Sequence, residues 1–349
     1  MTDAYAASGV DVAAADRGVA ALVAVLRTID TGKSSRVVPL PGHFAAVLEV
    51  APNLGIAVGT DGVGSKLLVA EATGRLDTVG IDCVAMNVND VVCVGAEPIA
   101  VLDYLAVEQI DTEAMRAIAA GLKRGAELAG VEIPGGEVAV LPEIIRGHPS
   151  PHGVDLTAAC FGTVALDAIV SGAACAPGDA LIGVPSSGLH SNGFTLARRA
   201  LAGMALDERP AELGGATLAD ALLEPTVIYV RGVLDLLGSD LPVHGLAHIT
   251  GGGVHNLTRL NAGVGFAITD PLDVPPIFGL VRDHGDVPEA EMWEVFNMGC
   301  GFCAVVPEAA AEQAAALLAE RHPGTRRIGT VTDRAGQIES PGGTAQSSA

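Results

Sequence analysis

The chain has 349 residues, a formal charge of −21 at pH 7, 49% apolar residues and only 3% aromatic residues. This length allows two domains of ordinary size, each with its own core, and the Gly- and Ala-rich composition is typical of a packed α/β enzyme. The acidic balance argues against nucleic acid or an anionic membrane as a partner.

Targeting and redox features favour a cytoplasmic protein. The N-terminus lacks a basic region followed by an apolar one, and no apolar run reaches spanning length. The six cysteines lie mostly inside apolar runs and are expected to be reduced. Cys300 and Cys303 form a C-x-x-C, but the absence of a second pair or nearby histidine ligands argues against a metal or redox role.

Strand and helix patterns alternate along the chain and predict two α/β units. A helix is expected at 14–29, followed by strands at 54–60, 99–107, 131–141 and 155–166 and helices at 64–74, 81–94 and 112–129. A turn through Pro177-Gly178-Asp179 leads into the second unit, with strands at 180–184, 264–268, 300–306 and 327–332 and helices at 193–202, 226–237, 254–260 and 308–321. The expected domains are residues 1–168 and 169–340, with a disordered tail at 341–349.

The most informative stretch is a glycine turn between the first of these strands and the helix after it. It reads Thr60-Asp61-Gly62-Val63-Gly64-Ser65-Lys66. Glycines let backbone amides approach phosphate oxygens, a helix start adds a positive dipole end, and a carboxylate suits Mg²⁺. The spacing matches neither a Walker loop nor a dinucleotide fingerprint, and an ordinary turn is the alternative.

A polar stripe interrupts the otherwise apolar helix predicted at 81–94. Asp82, Asn89 and Asp90 fall within one arc of the helix, and Asn87 lies just outside it. Short carboxylates and amides on a buried helix favour metal coordination or hydrogen bonds to a polar ligand over a solvated face.

Three loops could complete a site. Gly135-Gly136-Glu137 places a carboxylate after a strand, although an ordinary turn is the simpler interpretation. The loop 186–193 combines two glycines, small polar residues and His190, and its spacing does not match a nucleophile elbow. The loop 247–253 brings His248 ahead of three consecutive glycines.

Taken in order, these motifs resemble those of the phosphoribosylformylglycinamidine cyclo-ligase (AIR synthetase) family. The resemblance covers residues 5–335 and rests on TDGVGSK, GIDCVAMNVND, D-x-x-x-x-G-A-x-P at 90–98, SSGLHSNG, LLEPTVIYV, AHITGGG and FNMGCGF. It implies an N-terminal α/β domain whose strands pair across a homodimer and a C-terminal α/β domain. Many bacterial members have Gly-Gly-Phe-Gly where this chain has 41–45, and a second acidic residue where it has Val140, which suggests an archaeal-type branch.

The resemblance also implies a reaction and a set of site residues. Formylglycinamidine ribonucleotide (FGAM) would be cyclised with ATP and Mg²⁺ to aminoimidazole ribonucleotide (AIR); a monovalent cation requirement stays open. The metal ligands would be Asp61, Asp82 and Asp90, and the catalytic candidates His190, His248 and Glu137. ATP would contact Asp61, Gly62, Val63, Gly64, Ser65, Lys66, Asn87 and Asn89. The substrate would contact Ser187, Gly188, Ser191, Asn192, Gly193, Thr250, Gly251 and Gly252.

The two histidines could handle protons or stabilise the transferring phosphoryl group. The alternative function is another ATP-dependent phosphoryl transfer of the same superfamily. The chain lacks the N-terminal cysteine, C-terminal cysteine and N-terminal Gly-Asp-Asp cluster that three such activities would need. A non-enzymatic acidic scaffold would explain neither the Gly-rich loops nor the polar stripe.

Overall fold

The computed structural model describes residues 12–346 and contains two mixed sheets, of six and seven strands. Among the described residues, the helix α1 (Val12–Leu26) precedes the first sheet, close to the helix predicted at 14–29. Within residues 12–346, no helix is both long enough and apolar enough to span a bilayer.

The first unit alternates strands and helices, close to the predicted bounds. Its elements are β1 (Val37–Val38), β2 (Ala46–Ala51), β3 (Leu54–Gly62), α2 (Leu67–Thr73), α3 (Val79–Val92), β4 (Glu97–Val107), α4 (Thr112–Ala129), β5 (Glu132–Val140) and β6 (Val154–Val164). The strand order is β1-β2-β3-β6-β4-β5, and only the β4–β5 pair is parallel. The short strands β1 and β2 were not predicted.

Helix α3 is the core element of this unit because almost all of its residues are apolar and buried. It packs on β3, β4 and β6 and is covered by α4. Gly80 permits the helix contact: a Cβ there would lie 2.2 Å from the backbone nitrogen of Leu122. Helix α4 starts at the cap Asp111, which accepts hydrogen bonds from two backbone amides, and ends at Gly130 in the left-handed region.

Within residues 12–346, the sheet face opposite α3 is left uncovered. Half-exposed apolar side chains from three neighbouring strands line it, and we call it the open sheet face. Its central members are Ile56, Val58, Leu102, Tyr104 and Phe161.

The second unit is built on a seven-stranded sheet. Its elements are β7 (Ala180–Pro185), α5 (Phe194–Ala200), α6 (Leu218–Leu223), α7 (Val230–Leu237), β8 (Gly245–His248), β9 (Gly265–Ile268), α8 (Pro276–Gly285), α9 (Glu289–Val295), β10 (Cys300–Val306), α10 (Ala311–Ala319), β11 (Arg326–Thr332), β12 (Gln337–Ser340) and β13 (Gly343–Gln346). The strand order is β13-β12-β9-β11-β7-β10-β8, and only β12–β9 is parallel. A 3₁₀ helix, Gly253–Arg259, follows β8 at the predicted position.

Two expectations for this unit were wrong. The helix predicted at 226–237 begins only at Val230, because Thr226 and Tyr229 before it bond to α3 instead. The tail predicted to be disordered forms a β-hairpin as far as Gln346, pairing β13 with β12, and its last three residues lie outside the described part. Helices α6, α8 and α9 were not predicted.

Candidate functional site

The glycine turn at 60–66 and the loops 186–193 and 247–253 lie next to one another where the two units face each other. The Ser191 hydroxyl donates to the Val63 carbonyl at 2.7 Å, which ties the loop 186–193 to the glycine turn. Ser65 Oγ lies 3.2 Å from Thr195 Oγ1 at the start of α5. A Cβ on Gly251 would lie 3.4 Å from Asn192 Oδ1, so the third loop adjoins the second. The structure therefore gathers residues that are far apart in sequence.

Two carboxylates from different elements form the electrostatic centre of this interface. Asp61 ends β3 and Asp90 lies in the last turn of α3. Burial raises the pKa of Asp61, and the Asp90 carboxylate acts in the same direction. Two neighbouring carboxylates in a half-buried setting favour the binding of a cation.

His248 holds Asp90 in place. Its Nδ1 lies 2.8 Å from Asp90 Oδ1, and its ring is fully buried. Its Nε2 lies 3.4 Å from the Asn89 amide nitrogen, which can only donate. This places a proton on Nδ1, which donates to Asp90, while the other ring nitrogen is occupied by Asn89.

Asn87 and Asn89 are used internally. The Asn87 amide makes two 3.0 Å bonds to the main chain of Asp61, one as donor and one as acceptor, so it fixes the carboxylate-bearing residue. Asn89 donates to the Val227 carbonyl at 2.8 Å and accepts from the Tyr229 amide at 2.9 Å. Both predicted ATP contacts therefore orient other parts of the site in this structure.

Lys66 lies away from the carboxylate pair. Its ammonium is fully buried and lies 2.8 Å from Asp82 Oδ2. It also donates to the backbone carbonyls of His190 at 3.0 Å and Glu224 at 2.7 Å. All three donors are therefore committed to protein acceptors, which conflicts with the assignment of Lys66 to the ATP phosphates.

Asp82 is likewise unsuited to the predicted metal role. It is fully buried, and besides Lys66 it accepts from the amide and the hydroxyl of Thr226, at 2.8 and 2.7 Å. Burial lowers the pKa of Lys66 and raises the pKa of Asp82, and each charge opposes the effect on the other. The pair joins α3 to two loops of the second unit.

Part of the glycine turn is also engaged. The Gly62 amide donates to Asp61 Oδ1 at 2.7 Å, and the Val63 amide donates to the Leu156 carbonyl at 3.0 Å. The turn then runs through Gly64, in the left-handed region, into a short 3₁₀ helix. Phosphate binding by the remaining amides stays a prediction.

His190 is the buried histidine of the loop 186–193 and adopts a left-handed backbone with φ of 60°. The Ser187 amide donates to its Nε2 at 3.3 Å, which places the ring proton on Nδ1. That Nδ1 is buried and has no hydrogen-bond partner within the described residues. Burial holds the pKa of His190 well below its usual value, so the ring is neutral.

The remaining polar groups of this loop shape it. The Ser187 hydroxyl donates to the Pro225 carbonyl at 2.6 Å, and Asn297 donates to the Gly188 carbonyl at 2.8 Å. Gly193, in the left-handed region, lets the Phe296 ring approach, since a Cβ there would lie 2.2 Å from that ring. In the adjoining loop, Asn256 caps the Gly251 and Gly253 carbonyls, beside Thr250 and Gly252.

Glu137 is not brought to this centre. Strand pairing aligns Asp61, Ala158, Asp103 and Gly136 on one sheet face. Glu137 follows Gly136 and therefore points to the opposite side, with Tyr104 on the open sheet face. Within one chain it cannot act together with the carboxylate pair.

Several residues of the interface were not singled out from the sequence as site candidates. Thr226 and Tyr229 bind the polar stripe of α3, Asn297 holds the loop 186–193, and Arg259 contacts the chain before β2. Two signals were available, since LLEPTVIYV contains Thr226 and Tyr229 and FNMGCGF contains Asn297. Neither motif indicates which partner its residues contact.

Within residues 12–346, no three or more His, Cys, Asp or Glu side chains are arranged to hold a metal ion by themselves. Asp61 and Asp90 nevertheless fit Mg²⁺, which takes one or two carboxylates and completes its shell with phosphate and water oxygens. All six cysteines are buried free thiols, with the Cys300 and Cys303 sulfurs 3.5 Å apart.

Family models match both units. The AIR synthase related protein N-terminal domain matches residues 42–164, and its C-terminal domain matches residues 176–339. A phosphoribosylformylglycinamidine cyclo-ligase of Methanothermobacter thermautotrophicus is 47% identical over 96% of this chain and 96% of its own. The enzyme of the same name from Thermococcus kodakarensis is 45% identical over 95% of this chain and 96% of its own.

Solved structures share the fold at low identity. The hydrogenase maturation protein HypE, in a HypE–HypF complex, gives a TM-score of 0.62 at 20% identity over 87% of this chain and 92% of its own. HypE in complex with ATP gives 0.57 at 22% identity, over 88% and 89% of the two chains. Thermotoga maritima PurL complexed with FGAR gives 0.59 at 17% identity, over 89% of this chain and 48% of its own.

Proposed function

The chain belongs to the phosphoribosylformylglycinamidine cyclo-ligase family, and we propose that it uses ATP to close FGAM into the imidazole ring of AIR, with release of ADP and phosphate. This is a ligase reaction of purine biosynthesis. The observation that carries it, beside the identity over nearly the whole chain, is the Asp61–Asp90 pair at the interface of the two units.

The chemistry requires a poor leaving group to be activated. The γ-phosphoryl group passes from ATP to the formyl oxygen of FGAM, and ADP leaves. The ribose-bearing nitrogen then attacks the formyl carbon, the carbon–oxygen bond to the phosphorylated oxygen breaks with release of phosphate, and the nitrogen loses its proton. Transfer of a proton from the methylene carbon to the imino nitrogen completes the aromatic ring of AIR. Phosphoryl transfer depends on positioning and on charge neutralisation, which an interface lined by carboxylates and fixed dipoles can provide.

Asp61 and Asp90 would hold Mg²⁺, which neutralises phosphate charge when bound. Asn87 fixes the main chain of Asp61, and His248 orients Asp90 by donating from Nδ1. His248 is thus a positioning residue in this proposal, since neither of its ring nitrogens is open to substrate.

His190 is the better candidate for substrate contact. Its Nδ1–H is a donor without an acceptor among the described residues, which suits stabilisation of oxygen charge and does not suit general-base catalysis. Because the ring is buried, substrate can reach it only if the loop 186–193 shifts. Replacing His190 with Asn, which keeps a donor, should retain more turnover than replacing it with Phe.

The open sheet face is the surface on which we place a second copy of the chain. An antiparallel sheet normally covers its apolar side, and here Leu102 and Tyr104 are about 40% exposed. We propose a homodimer closed through this face, which would also bring Glu137 toward a partner. A cytoplasmic location, consistent with the free thiols, and a domain boundary at 168–169 also remain proposals.

The test is a turnover assay with Mg-ATP and FGAM that follows AIR and ADP together. Equal amounts of AIR and ADP are expected. ADP without AIR would favour another phosphoryl-transfer activity of the superfamily. If folded protein forms neither AIR nor ADP, the proposal is contradicted. Glu137→Gln distinguishes a role across the dimer, because its effect on turnover should appear only under conditions where the dimer persists.

A further inference from the structure

His43 lies in the loop between β1 and β2 and is a buried polar side chain without partners among the described residues. Only 9% of its surface is exposed, and neither ring nitrogen has a hydrogen-bond partner in residues 12–346. A neutral imidazole carries one donor and one acceptor. Burying both without partners costs free energy, so such a group is normally explained by a ligand or ordered water.

Arg259 of the second unit fixes the backbone around His43 and leaves its ring unbonded. The guanidinium donates to the Gly42 carbonyl at 2.8 Å and to the His43 carbonyl at 3.0 Å. It also lies 4.1 Å from the centroid of the Phe44 ring. The loop is therefore held across the interface by three contacts, none of which uses the imidazole.

The charges facing His43 are those of the carboxylate centre. Burial lowers the pKa of His43 to about 4; Arg259 acts in the same direction, and Asp90 opposes this. Arg259 also acts on Asp61, whose pKa it lowers. His43, Arg259, Asp61 and Asp90 thus belong to one electrostatic environment at the edge of the interface.

We propose that His43, together with the guanidinium of Arg259, binds a phosphate oxygen of the bound substrates beside the Asp61–Asp90 pair. The imidazole N–H would donate to this oxygen and Arg259 would supply the positive charge. This inference rests on the proposed function and extends it to residues that no motif assigned. The phosphate could belong to ATP or to the 5′-phosphate of the ribonucleotide.

The experiment compares His43→Leu and His43→Gln with the wild type and with His322→Leu. His322 is a matched control because its Nε2 is also buried without a partner among the described residues, but its ring packs on Tyr229 inside the second unit. Calorimetric Kd values for ADP and for AIR, and the KM values of ATP and FGAM, are measured on protein with an intact melting transition.

His43→Leu should lower the affinity for one of the two ligands, ADP or AIR, by about 10-fold or more. This is the loss expected for a hydrogen bond to a charged group. The melting temperature should stay the same or rise, because an unpaired buried polar group is removed. His43→Gln, which keeps an N–H, should recover part of the affinity, and His322→Leu should leave both affinities unchanged.

The pattern identifies the source of the phosphate. A weaker ADP affinity with a higher KM for ATP assigns the site to the nucleotide, and a weaker AIR affinity with a higher KM for FGAM assigns it to the 5′-phosphate. Kd values within twofold of the wild type for both ligands would overturn the proposal. If the wild-type protein binds ADP or AIR but yields no AIR from FGAM, the proposed function fails while the binding test still stands.

Discussion

Two acidic residues of α3, Asp82 and Asp90, lie about 12 Å apart along the helix and have opposite electrostatic environments. Asp82 faces Lys66 and Thr226 and is fully buried: its Oδ1 accepts hydrogen bonds from Thr226, and its Oδ2 lies 2.8 Å from the Lys66 ammonium. Asp90 faces Asp61, another carboxylate, and keeps 19% of its side chain exposed. The first centre pairs its charge with a cation of the chain and joins the units; the second places two carboxylates near each other without a direct lysine or arginine partner among the described residues.

The comparison teaches that residue type and helical phase do not separate a binding group from a structural one. Both aspartates occupy the same polar stripe, and the sequence placed both at the metal. What separates them is direct pairing: Lys66 forms an ion pair with Asp82, whereas within residues 12–346 neither Asp61 nor Asp90 forms an ion pair with a lysine or arginine. A like-charged pair that the fold does not neutralise is the stronger sign of a ligand site.

Removing a carboxylate of the Asp61–Asp90 pair should give the largest effect on turnover. Asp61→Asn and Asp90→Asn are each expected to lower turnover by on the order of 10³-fold, because charge neutralisation at the phosphates is lost. Asp270→Asn, at an exposed site beside Arg326, is the matched control and should keep full activity. Near-normal AIR formation by Asp61→Asn would remove the metal assignment.

Asp61→Asn should at the same time stabilise the protein at pH 7. Burial raises the pKa of Asp61 in the folded state, so the native protein binds more protons than the unfolded chain just above the usual carboxyl pKa of 3.8. The resulting penalty is present above the folded pKa and is relieved as the pH falls through it. Thermal unfolding of both proteins from pH 7 to pH 4 should show the difference shrinking with acidification.

Variants of the Lys66–Asp82 pair should change stability and leave ADP affinity almost unchanged. Lys66→Met leaves Asp82 buried without its cation and is expected to cost about 3–5 kcal/mol of unfolding free energy. Adding Asp82→Asn should recover part of this loss, which denaturant unfolding would measure. ADP affinity of folded Lys66→Met should stay within twofold of the wild type; loss of ADP binding without loss of stability would show that Lys66 binds phosphate.

Acidification should lower the free energy of unfolding, because His43 is buried in its neutral form. Its pKa is about 4 in the folded protein and near 6.5 when unfolded, so the unfolded chain binds more protons between these values. Stability is full above pH 6.5 and falls as the pH drops toward 4, by on the order of 3 kcal/mol from this residue. His43→Leu should flatten that part of the stability curve, and an unchanged slope would contradict the assignment.

The smallest effect concerns the packing beside His190. A Cβ on Gly301 would lie 2.0 Å from Tyr229 Oη and 2.5 Å from His190 Cε1. Gly301→Ala should therefore cost about 1–3 kcal/mol and reduce turnover through a displaced His190. Gly203→Ala is the control, since a Cβ at that position would meet none of the described atoms within 4 Å. Equal melting temperatures for the two variants would show that the loop adapts freely.

Much of this arrangement could be predicted from the sequence. The alternating pattern predicted most strands to within two residues, and the glycine turn, the polar stripe and the loops 186–193 and 247–253 were all singled out as candidate site segments. Composition and periodicity suffice there because they act locally and repeat along each element. The family resemblance then supplied the reaction.

The directions of individual side chains could not be predicted. Lys66 turns inward because Glu224 and His190 offer carbonyls, which sequence spacing does not reveal. The segment before Val230 stays outside the helix because it bonds to α3, although its apolar residues match a helix. His43 and Arg259 are 216 positions apart, and no local signal joins them. Contacts between distant segments decide each case.

The Lys66–Asp82 pair has a consequence for how the halves of the molecule depend on one another. Both charges belong to the first unit, but two of the carbonyls and the threonine that solvate them belong to the second. If either half were expressed alone, its members of this buried hydrogen-bond network would lose their protein partners and be exposed to water. We therefore expect two fragments produced by cleavage between Val164 and Ala180 to copurify, because the buried Lys66–Asp82 pair and its partners are shared between them.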